Sequence, residues 1–197
     1  MIDVEIVKQW YQDGKPFAWS EPPTWESQPK FEIAVQMIER WRHNRNGQKF
    51  TVLDCGCFTG YFLRHLIHRG PYAGIGVDVH KDVMERLDAQ AKAMEWPLTF
   101  TFGAMETATG DPVNIVTAFD VLEHVLDLPK AIETTWARLA PGGLALAHVP
   151  VEPEPTSEHL RVFTKETVQA LWPVKAEISD CRDEHGRGTL FACVRKP

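Results

Sequence analysis

The chain has 197 residues, a formal net charge of −6 and four cysteines. This length suits one domain whose core is large enough to fold without disulfides or a structural metal. The negative charge argues against a sequence-independent electrostatic grip on nucleic acid. The cysteines have neither CxxC spacing nor the density of a secreted disulfide framework, so reduced thiols and a cytoplasmic location are expected.

The first 49 residues are expected to form a helical and aromatic cap on the rest of the chain. MIDVEIVKQW has acidic residues where a signal peptide needs basic ones, and no later stretch is apolar enough for a membrane span, so no membrane partner is expected. A helix with Ser27 as its N-cap and Gly47 as its stop follows a proline-rich arm. The arm is either a lid over an acceptor or a packed cap, through Trp10, Tyr11, Phe17, Trp19 and Trp25.

The helix of this cap has one apolar face and a basic end, RWRHNRNGQK. We interpret the basic run as favourable charge at a helix C-terminus rather than as a phosphate-binding patch, so a nucleic-acid partner is possible but not favoured. The apolar face consists of Phe31, Ala34, Val35, Ile38 and Trp41.

From Phe50 onward, strand patterns alternate with helix patterns. Such a series predicts a parallel sheet with helices on both faces, and the last two strand patterns predict an antiparallel pair. The helix predicted over residues 80–95 has inward positions at Val83, Met84, Leu87, Ala91 and Met94, and the helix over 129–139 has them at Ile132, Trp136 and Leu139. An APGG turn is expected before the strand LALAHV, and the last strands are expected near residues 174–179 and 189–194.

The segment TVLDCGCFTG predicts a ligand site. An apolar strand ends in Asp54, and a turn with Gly56 and Gly60 then leads into a helix. Turn glycines allow close approach of backbone to a ligand, and a helix N-terminus presents unpaired N–H groups. A dinucleotide fingerprint requires glycine where this chain has Phe58, whose benzyl group would obstruct a pyrophosphate, so the pattern argues against NAD.

VLDCGCFTG resembles the first motif of class I S-adenosylmethionine-dependent methyltransferases, which belong to the Rossmann-like methyltransferase superfamily. Further resemblances follow in the family's order in GIGVDVH, FDVLEHVLD, LAPGGLALAHVP and HLRVFTKETV. The resemblance implies an α/β fold, a three-layer αβα sandwich whose seven-stranded, mostly parallel sheet has strand order 3-2-1-4-5-7-6 and ends in an antiparallel hairpin. Residues 50–197 would form this core.

The resemblance also implies roles for individual residues in binding S-adenosylmethionine. Asp54 would orient the cofactor's amino group or a water, Asp78 would accept bonds from the ribose hydroxyls, and Phe119 would lie near the transferable methyl. Two positions depart from the family pattern, Phe58 in place of a glycine and Ala104 in place of an aspartate that often contacts adenine, for which Glu106 is a substitute. The implied cofactor-binding residues are Asp54, Gly56, Cys57, Phe58, Gly60, Asp78, Val79, Ala104, Met105 and Phe119.

The acceptor is expected to be a small molecule, a preference that rests on the acidic charge. A base is needed only if the acceptor is a hydroxyl or a similar acid. Asp120, His124 and His159 are the predicted catalytic residues. His148 is a weaker candidate, because a lone histidine in a strand is more often packed than catalytic.

Two other functions remain open. Asp120, Glu123, His124 and His159 resemble the metal-binding set of methyltransferases that modify the 2′-hydroxyl at small-RNA 3′ ends, and such ligands suit a divalent cation. The aspartate is shorter than the family's glutamate, and LEHV occurs in metal-free members of the fold. The second alternative is a non-catalytic S-adenosylmethionine-binding or interaction protein. The sequence identifies neither the acceptor atom nor the oligomeric state.

Overall fold

The computed structural model describes residues 29–43, 45, 48–151, 159–183 and 185–197. The aromatic arm, Ser27 and Gly47 lie outside the described residues. Within the described part of the chain, no helix has both the length and the apolar character needed to cross a bilayer.

Seven strands form one sheet in the order β3-β2-β1-β4-β5-β7-β6, which confirms the predicted order. Strands β1 to β5 pair in parallel, and β7 pairs antiparallel with both β5 and β6. The strands are β1 (Phe50–Cys55), β2 (Tyr72–Asp78), β3 (Leu98–Phe102), β4 (Val113–Phe119), β5 (Leu139–Pro150), β6 (Glu177–Arg182) and β7 (Gly188–Arg195). The helices are α1 (Pro29–Arg42), α2 (Tyr61–Ile67), α3 (Lys81–Ala93), α4 (Leu128–Arg138) and α5 (Lys165–Ala170), and a 3-10 turn spans Met105–Thr107.

Alternating strand residues supply two hydrophobic cores, one on each face of the sheet. Val52 of β1 packs in the core that contains the apolar faces of α1, α2 and α3. Leu53, the next residue, packs in the core that contains α4 and α5. Successive strand side chains point to opposite faces, so a strand buried on both faces must be apolar throughout. The three layers of the predicted αβα sandwich are therefore confirmed.

Helix α1 packs against the sheet through the face that its sequence predicts, Phe31, Ala34, Val35, Ile38 and Trp41, all of which are buried. The Trp41 indole Nε1 also donates a hydrogen bond to the Gly142 carbonyl oxygen at 3.1 Å. This end of the predicted cap thus shares the core with the sheet, and the division at residue 49 stays a prediction.

Three predicted details differ in the structure, each for a local reason. Helix α3 ends at Ala93, so Met94 lies beyond it and is 58% exposed rather than buried. The PGG segment is a bulge inside β5 rather than a turn before it, because the amide of Gly142 and the carbonyl of Gly143 bond to Lys196. The first hairpin strand begins at Glu177 rather than Val174, because the Gln169 side chain bonds the backbone of Val174 and Ala176.

Helix α4 also differs from its predicted packing. Ile132 and Leu139 are buried as predicted, although Leu139 belongs to β5 rather than to the helix, and Trp136 is only half-buried. Arg138, an unexpected residue, is buried instead, and its guanidinium donates to the carbonyl oxygens of Ala108 and Asp111. Helix α5 is capped by Thr164, whose hydroxyl accepts the Thr167 amide.

The turn after β1 passes very close to the segment after β4. Gly56 has φ +69°, and a Cβ at this position would lie 2.2 Å from Cγ2 of Val121. Side chains are disfavoured at this backbone conformation, and a contact of this length is repulsive. The backbone conformation and the proximity of Val121 therefore both require glycine at position 56.

Gly56→Ala should lower the free energy of unfolding by roughly 2 to 4 kcal/mol, because it combines backbone strain with overpacking. Gly186→Ala is the matched control, since Gly186 has φ +77° but no heavy atom within 4 Å of the added Cβ. It should cost only about 1 kcal/mol. Urea unfolding measures both changes, and Gly56→Ala combined with Val121→Ala should recover part of the loss. Equal losses at the two glycines would contradict the close approach.

Candidate functional site

The carboxyl ends of β1, β2 and β4 meet at one edge of the sheet, which is where doubly wound folds bind ligands. The turn after β1 is fixed to the end of β2 by backbone bonds: the amides of Gly56 and Cys57 donate to the Val77 carbonyl oxygen at 2.8 and 3.2 Å. The Gly60 amide donates to the Cys57 carbonyl at 2.7 Å. Because these amides already donate to backbone carbonyls, the turn contributes to a ligand site through the shape of its backbone rather than through these N–H groups.

Phe58 adopts the left-handed backbone conformation that glycine usually occupies in such a turn, with φ +42°. Its amide donates to Oδ2 of Asp78 at 2.8 Å. Its ring packs edge-on against the His80 imidazole, with centroids 5.3 Å apart. The benzyl group is therefore held beside the turn after β2, against His80.

Asp78 ends β2 and is 6% exposed. Its carboxylate accepts three bonds: from the Phe58 amide, from the His80 amide at 3.0 Å and from Nδ1 of His80 at 2.5 Å. A carboxylate has about four lone-pair positions. Two further donors, such as both hydroxyls of a ribose, would therefore fit only if the His80 ring moved away.

Asp54 is the penultimate residue of the neighbouring strand β1 and is 3% exposed. The Thr117 hydroxyl donates to its Oδ1 at 2.6 Å. Burial raises the pKa of Asp54 to about 7; the bond from Thr117 lowers it and the negative charge of Asp78 raises it further. A cation bound at this edge would stabilise the ionised form.

The loop after β3 borders Asp78, because the Gly103 amide donates to the Asp78 carbonyl oxygen at 2.9 Å. Ala104 precedes the 3-10 turn, and Met105 within it is buried. The Glu106 side chain, the substitute considered for an adenine contact, accepts the Asp127 amide at 3.2 Å. Helix α4 thus helps to fix this loop.

The other predicted cofactor residues lie at the same edge but differ in what they expose. The Cys57 side chain is buried and its sulfur lies 3.6 Å from that of Met84. The Phe119 ring is also buried and packs edge-on against Phe62 at 5.0 Å. Val79 is half-buried, directly after Asp78. Cys57 and Phe119 therefore shape the site mainly through their backbone.

A charged network lies at the end of β4. Asp120 accepts a hydrogen bond from the Lys30 ammonium and one from Nδ1 of His148, the latter at 2.5 Å. Burial acts to raise the pKa of Asp120, but the positive charge of Lys30 and the interaction with His148 together hold it well below its usual range. His148 is 3% exposed and lies on β5 opposite Phe119. From its position in a strand, His148 was only a weak catalytic candidate, and no local sequence pattern points to Lys30.

A second cluster lies a few residues further along. Glu123, His124 and His159 each offer one ligand atom, and these atoms lie within 4.8 Å of one another. Glu123 is 1% exposed, and burial together with the charge of Asp120 raises its pKa well above the ordinary value. Burial lowers the pKa of His159. Three of the four predicted metal ligands are therefore brought together, and Asp120 lies instead in the network with Lys30 and His148.

Comparison with known proteins identifies the family. A family model described as a methyltransferase domain matches residues 25–187, most of the chain. The chain belongs to this methyltransferase domain family. The match confirms the family predicted from the sequence motifs.

The methyltransferase domain also has curated relatives. A ubiquinone biosynthesis O-methyltransferase from Methylobacterium nodulans is 28% identical over 102 residues, which are 51% of this chain and 41% of that protein. The chain therefore matches less than half the length of this relative.

Solved structures share the fold of this methyltransferase domain at low sequence identity. An S-adenosylmethionine dependent methyltransferase from Mesorhizobium loti is 16% identical, with a TM-score of 0.61, over 75% of this chain and 91% of that one. The cyclase SpnF is 13% identical, with a TM-score of 0.68, over 99% of this chain and 93% of that one. Identities this low show a common fold.

Asp54→Asn should stabilise the ligand-free protein increasingly as pH rises. The folded-state pKa is raised to about 7 from an unfolded value near 3.8, so unfolding releases a proton between these values and the stability of the natural protein falls with rising pH. The amide cannot ionise and can still accept the Thr117 hydroxyl. The variant should gain roughly 2 to 4 kcal/mol relative to the natural protein between pH 4.5 and 8.

Urea unfolding at several pH values measures this gain. Asp111→Asn, at an exposed position, is the control and should change the free energy of unfolding by less than about 0.5 kcal/mol throughout. If the free energies of unfolding of Asp54→Asn and of the natural protein changed in parallel with pH, ionisation of Asp54 would not be what lowers the stability of the natural protein.

Proposed function

We propose that this methyltransferase domain binds S-adenosylmethionine at the carboxyl edge of its sheet and transfers the methyl group to a small-molecule acceptor. The observation that carries the proposal is the pair of buried carboxylates, Asp54 and Asp78, at the ends of adjacent strands and joined through a tight glycine turn. Family membership supports the cofactor, and a relative named for O-methylation in ubiquinone biosynthesis supports a small acceptor.

The residues present fit this cofactor in charge and shape. The donor molecule carries a sulfonium and an ammonium, and the ionised carboxylates of Asp54 and Asp78 complement them. Asp78 would hold the ribose hydroxyls once the His80 ring leaves it. Val79, Ala104 and Met105 would flank the adenine. Gly56 and Gly60 would permit close approach of the turn.

S-adenosylmethionine supplies an already activated methyl group, so this chain has to orient the acceptor and exclude water. Asp120, His124 and His159 are the predicted groups for handling a proton. The contact with Asp120 adds His148 to them, since a carboxylate bonded to one ring nitrogen fixes the tautomer of an imidazole. A cytoplasmic location is part of the proposal, supported by free cysteines at all four positions.

A metal-assisted RNA 2′-O-methyltransferase is the second candidate, and the Glu123, His124 and His159 cluster favours it. The Oε2 atom of Glu123 is buried and has no hydrogen-bond partner among the described residues, an arrangement that a cation would satisfy. A third candidate is an S-adenosylmethionine-binding protein without methyltransferase activity. The shared fold of the cyclase SpnF supports keeping it, because the fold alone does not specify the reaction.

Calorimetry should show that S-adenosylhomocysteine binds and that NAD does not. Asp78→Asn should weaken S-adenosylhomocysteine binding by at least about tenfold, because it replaces a charged acceptor of the ribose hydroxyls with an amide. His80→Ala is the matched control: it removes the ring that bonds Asp78 and should leave the affinity equal or higher. Unchanged affinity in Asp78→Asn, or NAD binding, would contradict the cofactor assignment.

Manganese titration tests the metal candidate. If the cluster binds a divalent cation, Mn²⁺ should broaden the NMR signals of His124 and His159 first, and Glu123→Gln should abolish the effect, because an amide is a poor ligand for a hard cation. Broadening that is absent, or that is equal in Glu123→Gln, would exclude this candidate.

A further inference from the structure

Lys30 reaches the end of β4 from a distant part of the sequence. It lies in the first turn of α1, 90 residues before Asp120, and its ammonium bonds the Asp120 carboxylate directly. The Lys30 side chain is 14% exposed, and its nitrogen lies 5.5 Å from the centre of the Phe31 ring. An ammonium so largely removed from water requires a compensating charge, which Asp120 provides.

We propose that Lys30, Asp120 and His148 form a proton-accepting network in which His148 is the base for an acceptor hydroxyl and Lys30 and Asp120 are positioning residues. This inference rests on the proposed methyl transfer. It replaces the prediction that His124 or His159 is the base with a specific ring nitrogen and gives α1 a role in the reaction.

Three hydrogen bonds fix the position of Asp120. Its amide donates to the His148 carbonyl oxygen at 3.0 Å, while its side chain accepts from the His148 ring and from Lys30. Its backbone is left-handed, with φ +54°. Aspartate tolerates this conformation better than most residues, and such strain persists only where the surroundings impose it. The contacts thus fix the position of the carboxylate against His148.

This arrangement determines which nitrogen of His148 can act. An ionised carboxylate only accepts hydrogen bonds, so the ring donates through Nδ1 and carries its proton there. Nε2 then has the lone pair that can take a proton. In the proposed step the acceptor O–H bond breaks and an N–H bond forms at Nε2. The oxygen electron pair bonds the methyl carbon, the carbon–sulfur pair returns to sulfur, and His148 later releases its proton to solvent.

Lys30 would set the strength of this base. A lone Asp120 carboxylate would stabilise a protonated His148, and the ammonium of Lys30 offsets that charge. Among the described residues, further ionisable groups near the network are Glu123, after β4, and His159 and Arg161, before α5. From β7 the ring faces Phe191, which carries no charge. Lys30 and Asp120 are the two charged groups bonded within the network, so a change at Lys30 should be detected at His148.

NMR of protein labelled with ¹⁵N-histidine tests the network without a known acceptor. Neutral His148 in the natural protein should carry its proton on Nδ1. Lys30→Met should change the ¹⁵N chemical shifts of the His148 ring, because it removes the charge bonded to Asp120, whereas Lys30→Arg, which keeps the charge, should leave them close to those of the natural protein. Asp120→Asn should weaken the preference of the His148 proton for Nδ1. A proton on Nε2 in neutral His148 of the natural protein, or unchanged ring shifts in Lys30→Met, would overturn the proposal.

Calorimetry on the same samples separates this inference from the proposed function. Lys30→Met should still bind S-adenosylhomocysteine with an affinity within about threefold of the natural protein, because Lys30 is not among the cofactor residues. If the natural protein fails to bind it, the proposed function fails. Intact binding without a response at His148 overturns the network alone. Near-UV circular dichroism verifies folding, and Lys30→Gln replaces Lys30→Met if the latter is unfolded.

Discussion

The site depends on the junction between the turn after β1 and the end of β2. Amides of the turn bond the Val77 carbonyl and the Asp78 carboxylate, so the position of the turn and the orientation of Asp78 are fixed together. Gly56 allows the segment after β4 to approach the same point. A parallel sheet brings three strand ends to one edge, and this junction gives that edge its detailed shape.

Ionisation of the buried Asp54 carboxyl lowers the stability of the protein as pH rises. Burial raises the pKa of Asp54, and the negative charge of the neighbouring Asp78 raises it further. Asp120 shows the opposite case, since Lys30 and His148 keep it ionised. The two carboxylates therefore differ in their partners: Asp54 accepts a hydrogen bond from Thr117, whereas Asp120 is bonded to Lys30 and His148. Functional sites commonly lower stability in this way.

Local sequence motifs predicted the fold and most of the residues at the carboxyl edge of the sheet. They did not predict contacts between residues that are distant in the sequence. Strand periodicity predicted the alternation of strands and helices and the acids near the ends of β1 and β2, whereas the sheet order came from the resemblance to class I methyltransferases. The bond between Lys30 and Asp120 joins residues 90 apart, and no local pattern encodes it. The contact between His148 and Asp120 could have been predicted from the sheet order, because parallel pairing of β4 and β5 places His148 opposite Phe119, the residue before Asp120. The burial of Arg138 had no sequence signal, since arginine is seldom buried without known partners.

A crystal structure of the complex with S-adenosylhomocysteine would test the central claim most directly. The account predicts that both ribose hydroxyls lie within hydrogen-bonding distance of the Asp78 carboxylate, that the Phe58 amide keeps its bond to Asp78, and that the His80 ring has moved off it. A complex in which His80 still bonds Asp78 and the ribose contacts other residues would contradict the account.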